Sequence, residues 1–236
     1  MKPYFETDLG KLYHGDCLEI MPELEPVDLV LTDPPYRTIS GGTSSKLPSG
    51  WRISVLRKND GKIFKHNNLM PSEYIPILFN VCKEDADIYI MTNNKTIRAL
   101  LNAAFRNGLS FHNLLIWLKN TKTANRWYMS ETEYVLYFWK GRARPISNKS
   151  SSQVFYGLNP TNKKHPTEKP ITLMAHYVKN SSKRGDVILD PFLGSGTTAI
   201  ACERLNRKWI GIEIEERYCQ IAAKRIENER RQLKLF

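Results

Sequence analysis

The stretch VILDPFLGSGTT, residues 187–198, has the residue types of a loop that holds a nucleoside. Gly194 and Gly196 lie between a strand-like and a helix-like segment, where glycine permits a positive φ and a close approach of the backbone to a ligand. The loop lacks the GxxxxGK[ST] pattern of a phosphate-binding loop and the third glycine of GxGxxG, so a nucleoside without a pyrophosphate fits it better than NAD. S-adenosylmethionine is such a ligand. A tight turn with no ligand is the alternative interpretation of these residues alone.

Carboxylates stand at the ends of four short apolar runs, at Asp16, Asp33, Asp190 and Glu213. A carboxylate at such a place is desolvated unless it has a ligand or a hydrogen-bond partner. Parallel sheets bind ligands at the carboxyl ends of their strands, and an acid that closes the strand after a glycine loop suits a pair of ribose hydroxyls. The four acids therefore indicate a ligand site at one edge of a sheet.

The tetrapeptide DPPY, residues 33–36, follows the strand-like run DLVLT. It places a carboxylate, two prolines with a fixed φ and the aromatic ring of Tyr36 directly after a strand. Prolines stop a strand in any case, so a turn is the simplest interpretation of the tetrapeptide alone.

Strand-like and helix-like segments alternate along the chain, which predicts an α/β fold with a mostly parallel sheet. Residues 37–70 carry scattered Lys and Arg without a stable period, so they are predicted as a long loop or insertion. Residues 141–169 are polar and basic and are predicted as another loop region. Strands are predicted at 11–15, 28–32, 86–92, 111–119, 133–140, 186–190 and 208–214, and helices at 71–83, 95–108, 170–182, 195–206 and 215–233.

Composition narrows the class of protein. The 236 residues suffice for one domain with insertions, and a hydrophobic fraction of 41% is ordinary for a globular protein. No apolar run reaches the roughly 18–20 residues that a membrane span needs, and the N-terminus lacks the apolar segment of a secretory signal. The four cysteines form no CxxC pair, which argues against zinc and redox sites and for reduced thiols. We therefore expect a cytoplasmic protein without a metal site.

The formal charge of +11 is concentrated in two stretches. Residues 37–70 hold seven Lys and Arg against one Asp or Glu, and residues 119–169 hold ten against three. A basic excess confined to loop-rich stretches indicates a polyanion partner, and nucleic acid is favoured over a role in solubility alone.

Three motifs together resemble those of bacterial and phage DNA amino-methyltransferases, which methylate N6 of adenine or N4 of cytosine. They are DPPY at 33–36, HPTEKP at 165–170 and DPFLGSGTT at 190–198. The catalytic motif precedes the cofactor motif, as in the permuted group called beta, and the resemblance spans roughly residues 11–225. It implies a Rossmann-like, S-adenosylmethionine-dependent methyltransferase fold in one domain over residues 1–236. The implied sheet has seven strands, mostly parallel, with one antiparallel strand.

The resemblance also implies which residues hold S-adenosylmethionine. Asp190 would hold the methionine part with the glycine loop, Glu213 the ribose hydroxyls and Asp16 the adenine amino group. Lys169 would reach the cofactor carboxylate. The remaining residues implied at the cofactor are Cys17, His165, Thr167, Phe192, Gly194, Ser195, Gly196 and Thr197.

DPPY gains a chemical role from the same resemblance. An exocyclic amine is a poor nucleophile because its lone pair is delocalised into the ring. The Asp33 carboxylate and the Pro34 carbonyl would accept its two hydrogens, with Pro35 completing the rigid turn, and favour a more tetrahedral nitrogen. Tyr36 would stack on a base flipped out of the duplex. Asp33 acts either as a general base or only to orient the amine. An Asp in the first position favours N6 of adenine, with N4 of cytosine as the alternative.

DNA recognition is expected from the two basic stretches. Residues 37–70 are interpreted as a loop that closes over DNA and cofactor, and residues 119–169 as a short target-recognition region. Most of these side chains would contact phosphates, which position DNA without specifying sequence. Trp127 and Tyr128 are predicted either to stack on bases or to pack in the core. The basic residues expected to bind DNA are Arg37, Lys46, Arg52, Arg57, Lys58, Lys62, Lys65, Lys119, Lys122, Arg126, Arg142, Arg144, Lys163 and Lys164.

Other activities stay open at this point. One alternative is a methyltransferase for RNA or protein glutamine, although the basic stretches favour a nucleic acid over a protein. Another is an inactive relative that binds DNA, against which the intact motifs argue. Two partners beside duplex DNA enter only through the resemblance: a second copy of the chain, because dimers occur in this group, and a cognate restriction endonuclease.

Overall fold

The computed structural model describes residues 1–36, 38–46, 52–58, 68–123, 128–159 and 168–233, with the backbone alone for 38–46, 52–58 and 123. Its strands are β1 (Phe5–Glu6), β2 (Gly10–His14), β3 (Val27–Thr32), β4 (Thr38–Lys46), β5 (Arg52–Lys58), β6 (Cys82–Thr92), β7 (Ser110–Thr123), β8 (Ser130–Trp139), β9 (Val154–Gly157), β10 (Val187–Asp190) and β11 (Lys208–Glu213). Its helices are α1 (Cys17–Ile20), α2 (Pro71–Val81), α3 (Ile97–Arg106), α4 (Ile171–Ser181), α5 (Thr197–Leu205) and α6 (Glu216–Leu233), and a short 3-10 helix covers Met21–Glu23.

The main sheet has the strand order β1-β2-β11-β10-β3-β6-β8-β7-β9. The five neighbours from β2 to β6 are mutually parallel, and β8 runs antiparallel to both β6 and β7. The α/β class and the mostly parallel sheet are confirmed. The predicted number of seven strands is wrong, because β1 and β9 extend the sheet at its two edges, and β1 is a second antiparallel strand. These edge strands have two and four residues, too few to show a period in the sequence.

The prediction of a loop over residues 37–70 is wrong for two segments. Strands β4 and β5 pair antiparallel as a separate two-stranded sheet, with a register irregularity between Ser40 and Ser44. The β5 sequence RISVLRK carries β-branched residues in alternation, whereas the Gly and Ser residues of β4 hide its strand character. The predicted loop over 141–169 likewise contains β9, which pairs parallel to β7.

Apolar side chains on both faces of the parallel strands create two core layers. On β3, Leu29 and Leu31 belong to the cluster that includes residues of α4, α5 and α6, whereas Val30 packs in the cluster formed with α1, α2 and α3. Helices therefore cover both faces of the sheet, and the edge at the carboxyl ends of the parallel strands is left for the polar residues that follow them.

The chain order of the strands differs from their order in space. Strand β3, which leads into DPPY, lies directly beside β10, which leads into the glycine loop, although 158 residues separate Thr32 from Asp190. This adjacency brings the first and the last motif of the chain together. Within the described ranges, no helix is long and apolar enough to cross a membrane.

Candidate active site

The four acidic strand ends lie on four neighbouring parallel strands. Asp16 follows β2, Glu213 ends β11, Asp190 ends β10 and Asp33 follows β3. The carboxyl ends of these strands share one edge of the sheet, because β2, β11, β10 and β3 all run in the same direction. The structure therefore brings together the four carboxylates that the sequence analysis singled out.

Asp190 is buried, with 3% of its surface exposed, and is held by three donors. One carboxylate oxygen accepts from Thr32 Oγ1 at 2.7 Å and from the Phe192 amide at 3.1 Å, and the other accepts from Thr198 Oγ1 at 2.6 Å. Burial nevertheless raises the pKa of Asp190 to about 6, against the lowering effect of these hydrogen bonds. A cationic ligand group beside this carboxylate would favour its ionised form.

The glycine loop has the backbone geometry that its sequence predicts. Gly194 and Gly196 have φ of 57° and 88°, and Gly196 is the N-cap residue of α5. A Cβ atom on Gly196 would come within 3.1 Å of Ala222 Cβ on α6. Glycine at this position thus allows both the turn and the close packing of α6. Thr197 begins α5 and is buried.

Glu213 stabilises the loop from the next strand. Its two carboxylate oxygens accept from the Gly194 amide at 2.9 Å and from the Glu215 amide at 2.8 Å. Burial raises the pKa of Glu213, and these two amides oppose that effect. Each carboxylate oxygen can accept about two hydrogen bonds, so this side chain retains capacity for ligand hydroxyls.

Asp16 caps the first helix of the chain. Its carboxylate accepts from the Leu18 amide at 2.8 Å, in the position of an N-cap residue. The neighbouring Cys17 is 5% exposed, and burial together with the Asp16 charge raises the pKa of its thiol to about 12. Cys17 is therefore a neutral thiol beside Asp16 rather than a nucleophile.

The DPPY segment forms a compact hydrogen-bonded unit. The Tyr36 hydroxyl donates to Asp33 Oδ1, and the Lys169 ammonium donates to Asp33 Oδ2. Burial raises the pKa of Asp33, while the adjacent Lys169 charge opposes that effect. The Lys169 Nζ atom also lies 6.0 Å from the centroid of the Tyr36 ring. Lys169, expected at the cofactor carboxylate, thus contacts Asp33 of the DPPY segment.

Lys169 has a second acidic partner that sequence reasoning missed. Glu133 Oε2 on β8 lies 3.4 Å from Lys169 Nζ, and Glu133 Oε1 accepts from Lys119 Nζ at 3.3 Å. The available signal was a lone acid at the start of the otherwise apolar and aromatic run EYVLYFW. The strand that carries Glu133 was predicted from the sequence. The pairing of Glu133 with Lys119 depends on the pairing of β8 with β7, which was not predicted.

Arg225 on α6 was also missed. Its guanidinium donates to the Ser195 carbonyl and hydroxyl, both at 2.7 Å, and to Glu168 Oε1 at 2.5 Å. Ser195 belongs to the glycine loop, and Glu168 precedes Lys169 in the HPTEKP motif. Arg225 therefore ties the glycine loop to the segment that carries Lys169.

A cleft of about 550 Å³ opens beside the DPPY segment. Pro34, Pro35 and Tyr36 line this cleft together with Tyr74, Thr92 and Lys95. Its volume falls within the range of roughly 300–1,000 Å³ that is typical of small-molecule pockets. The buried Tyr74 also packs edge-on against Phe192, with 5.3 Å between ring centroids, so the cleft wall touches the glycine loop.

The structure separates the expected DNA-binding residues into groups. Lys119 and Lys122 on β7 lie near the site edge, paired with Glu133 and Glu131. Arg142 and Arg144 lie at the opposite edge, where Arg142 pairs with Asp85 and Arg144 donates to the Asp28 carbonyl, so the structure does not bring them to the site. Lys46, Arg52, Arg57 and Lys58 lie on the β4–β5 hairpin, where only the backbone is described. Outside the described residues fall Arg37, Lys62, Lys65, Arg126, Lys163 and Lys164, together with His165 and Thr167, which were expected at the cofactor.

The two aromatic residues predicted either to stack or to pack in the core have different outcomes. The Tyr128 side chain is 93% exposed, so it does not belong to the core. Trp127 falls outside the described residues.

Known proteins are similar to this chain in sequence. Residues 27–224 match the N6/N4 methyltransferase family, described as DNA methylases. The Type II methyltransferase M2.DpnII of Streptococcus pneumoniae is 32% identical over 97% of this chain and 93% of its own length. M2.LlaDCHI of Lactococcus lactis subsp. cremoris is also 32% identical, over 95% of this chain and 92% of its own.

Solved structures agree in fold. The M1.HpyAVI–SAM complex superposes with a TM-score of 0.70 at 27% identity, covering 92% of this chain and all (100%) of that one. The PvuII DNA methyltransferase, described as cytosine-N4-specific, has a TM-score of 0.70 at 19% identity over 97% of this chain and 93% of its own, which supports the fold alone. The resemblance indicated by the three motifs is confirmed, and the chain belongs to the N6/N4 methyltransferase family of DNA methylases.

Proposed function

We propose that the protein transfers a methyl group from S-adenosylmethionine to N6 of an adenine that has been flipped out of duplex DNA. The observation that carries this proposal is the adjacency of β3 and β10, joined by the Thr32–Asp190 hydrogen bond. It sets the carboxylate of Asp33 beside the loop expected to hold the methyl donor, and proximity is the main requirement of such a transfer.

The chemistry of the site fits S-adenosylmethionine. This ligand has an ammonium group, a ribose diol and an adenine amine, and all three are hydrogen-bond donors. Three carboxylates on adjacent strands meet these needs: Asp190 for the methionine part, Glu213 for the diol and Asp16 for the amine. The remaining loop residues, Phe192 to Thr197, would close around the methionine part. When bound, S-adenosylmethionine supplies a methyl group on a positively charged sulfur.

The DPPY segment would orient the target amine. Asp33 would accept one hydrogen of the amine and the Pro34 carbonyl the other, which favours a nitrogen with an available lone pair. Lys169 supports this role, because its charge favours the ionised form of Asp33 against burial. The amine nitrogen would receive the methyl group and lose a proton to Asp33 or to water, and the electron pair of the broken sulfur–carbon bond would stay on sulfur.

Tyr36 and the neighbouring cleft would receive the base. Flipping a base costs a few kcal/mol, and stacking on an aromatic ring contributes about 1–3 kcal/mol in return. The Tyr36 ring lines the cleft of about 550 Å³ together with Pro34 and Pro35. Adenine is favoured over cytosine by Asp33 in the first position of the motif.

The partners follow from the same proposal. The proposed substrate is duplex DNA in the cytoplasm, contacted by the β4–β5 hairpin and by Lys119 and Lys122. The names of the Type II relatives support site-specific modification that protects DNA from a cognate restriction endonuclease. A homodimer is the proposed assembly, to be checked by light scattering.

Sequencing that detects modified bases, applied to DNA from a methylation-free strain expressing this chain, would test the activity. Nucleoside mass spectrometry of the same DNA separates N6-methyladenine from N4-methylcytosine. We expect N6-methyladenine at one short motif, lost with Asp33→Ala while S-adenosylmethionine still binds, and kept with Lys83→Ala at the opposite edge. Methylcytosine would favour the alternative base, and labelled RNA in place of DNA would favour an RNA substrate. Tight DNA binding without any product would indicate an inactive relative.

A further inference from the structure

Two carboxylates share one buried ammonium at the catalytic motif. The Lys169 side chain is 6% exposed, with Asp33 Oδ2 on one side and Glu133 Oε2 at 3.4 Å on the other. Glu133 in turn holds Lys119 at 3.3 Å through its other oxygen. The groups form a chain of alternating charge, Lys119–Glu133–Lys169–Asp33, that ends at the proposed reaction centre.

This arrangement sets up competition for Asp33. The Tyr36 hydroxyl donates to one oxygen of that carboxylate and Lys169 donates to the other. A target amine that needs one of these oxygens must displace or share a donor already present. Lys169 can yield only if its charge has another partner nearby, because a buried ammonium without a counterion is strongly destabilised. Glu133 is positioned to be that partner.

Resting on the proposed function, we propose that Glu133 is a positioning residue for methyl transfer: it shares the Lys169 ammonium with Asp33 and thereby lets the target amine reach the Asp33 carboxylate. Glu133 itself touches neither substrate nor cofactor in this proposal. Glu133 acts through Lys169. Lys119 on β7 lies on the other side of Glu133 and reduces the attraction of Glu133 for Lys169.

The electrostatics of the cluster agree with this geometry. Burial opposes the charge on Lys169, but Asp33 and Glu133 outweigh it and raise the pKa of the ammonium. Burial likewise opposes ionisation of Glu133, but Lys169 and Lys119 outweigh it and lower the pKa of that carboxyl. The Glu133 charge also contributes to raising the pKa of Asp33. Among the described residues, the other titratable groups that interact with Asp33 are Tyr36, Tyr74 and Asp190.

Single-turnover methyl transfer at saturating DNA and S-adenosylmethionine, followed between about pH 5 and pH 9, would test the proposal. With Glu133→Gln, Lys169 keeps Asp33 as its charged partner, so the rate should fall roughly 10- to 100-fold, the scale of a misplaced reacting group. The acid limb of the profile should move to lower pH, because Asp33 loses a neighbouring negative charge. Glu133→Asp should restore part of the rate.

Two further variants make the test discriminating. Lys119→Met should move the acid limb to higher pH, because Glu133 then draws Lys169 away from Asp33. Glu131→Gln, in the exposed Lys122–Glu131 pair of the same two strands, should leave rate and profile unchanged. Measurements of thermal unfolding and of S-adenosylmethionine affinity identify a variant that fails to fold. If Glu133→Gln fails to fold, Lys119→Met still tests the proposal.

The outcomes separate this inference from the proposed function. An active wild type whose acid limb is unmoved by Glu133→Gln, or moved in the same direction by both variants, overturns the role of Glu133 alone. A wild-type chain that methylates no DNA overturns the proposed function instead.

Discussion

The Thr32 hydroxyl donates to the Asp190 carboxylate at 2.7 Å, and this bond joins the strand before DPPY to the strand before the glycine loop. Both side chains are buried, with 0% and 3% exposure. Pairing of β3 with β10 fixes the positions of the two following segments relative to each other along the strand direction. The hydrogen bond adds a contact at the point where the two strands end. The DPPY segment and the glycine loop are therefore coupled through one buried pair.

Replacing Thr32 with Val should weaken this coupling. The substitution preserves shape but removes the donor, and the loss of a buried hydrogen bond costs about 1–3 kcal/mol. We expect a lower free energy of unfolding, measured by urea denaturation, and weaker binding of S-adenosylmethionine, measured by calorimetry. Thr32→Ser keeps the hydroxyl and serves as the matched control. Equal cofactor affinity in Thr32→Val and Thr32→Ser would contradict the coupling.

Asp190 should make the stability of the ligand-free protein depend on pH. Its pKa is raised from 3.8 to about 6, so the fold favours the protonated form. The stability that protonated Asp190 contributes is fully present below the pKa of this carboxyl in the unfolded state. It is lost as the pH rises through about 6, the pKa in the folded state. Two pKa units correspond to roughly 3 kcal/mol at most. Asp190→Asn cannot ionise, so the stability of the wild type relative to this variant should fall between about pH 4 and pH 8.

Urea unfolding of both proteins across that pH range measures the difference directly. A cofactor ammonium beside Asp190 should favour the ionised form of this carboxyl. Added S-adenosylmethionine should therefore move the pH range over which the wild type loses stability to lower pH. A difference in unfolding free energy that is constant with pH would exclude the raised pKa.

The sequence carried enough information for the acidic strand ends and the glycine loop. Asp16, Asp33, Asp190 and Glu213 each follow a short apolar run, and a parallel sheet must bring such ends to one edge. The positive φ of Gly196 follows equally from local sequence, because the turn into α5 requires it. These features depend on residues close together in the chain.

Features that depend on distant pairing could not be predicted. Glu133 meets Lys169 only because β8 lies between β6 and β7, and no local pattern encodes that order. Arg142 and Arg144 were grouped with Lys119 by charge, yet β8 returns the chain to the opposite edge before Arg142. The number of Lys and Arg residues in a stretch of sequence does not show at which edge of the sheet those residues lie.

Arg225 should stabilise the loop and the Lys169 segment together. The Arg225 side chain is 17% exposed, and its guanidinium pairs with the buried Glu168 and donates to Ser195. Arg225→Met removes a partner from a buried carboxylate, which typically costs about 3–5 kcal/mol. We expect a lower free energy of unfolding and weaker binding of S-adenosylmethionine, read from denaturation and calorimetry.

Arg204 provides the control for that variant. It pairs with Glu229 through two hydrogen bonds of 2.8 and 2.9 Å, but it is 42% exposed. Arg204→Met should therefore cost no more than about 1 kcal/mol and leave cofactor affinity unchanged. If both variants bind S-adenosylmethionine equally well, Arg225 does not support the loop.

Tyr36 has two separable contributions, a ring and a hydroxyl. Tyr36→Phe keeps the ring that would stack on the flipped base but removes a donor that lowers the pKa of the buried Asp33. The acid limb of the pH–rate profile of Tyr36→Phe should move to higher pH, and the affinity of this variant for DNA should be retained. Tyr36→Ala also loses the stacking, worth about 1–3 kcal/mol. Titration of duplexes with 2-aminopurine at the target base should show unstacking with Tyr36→Phe and much less with Tyr36→Ala. Equal fluorescence from the two variants would mean that the base stacks elsewhere.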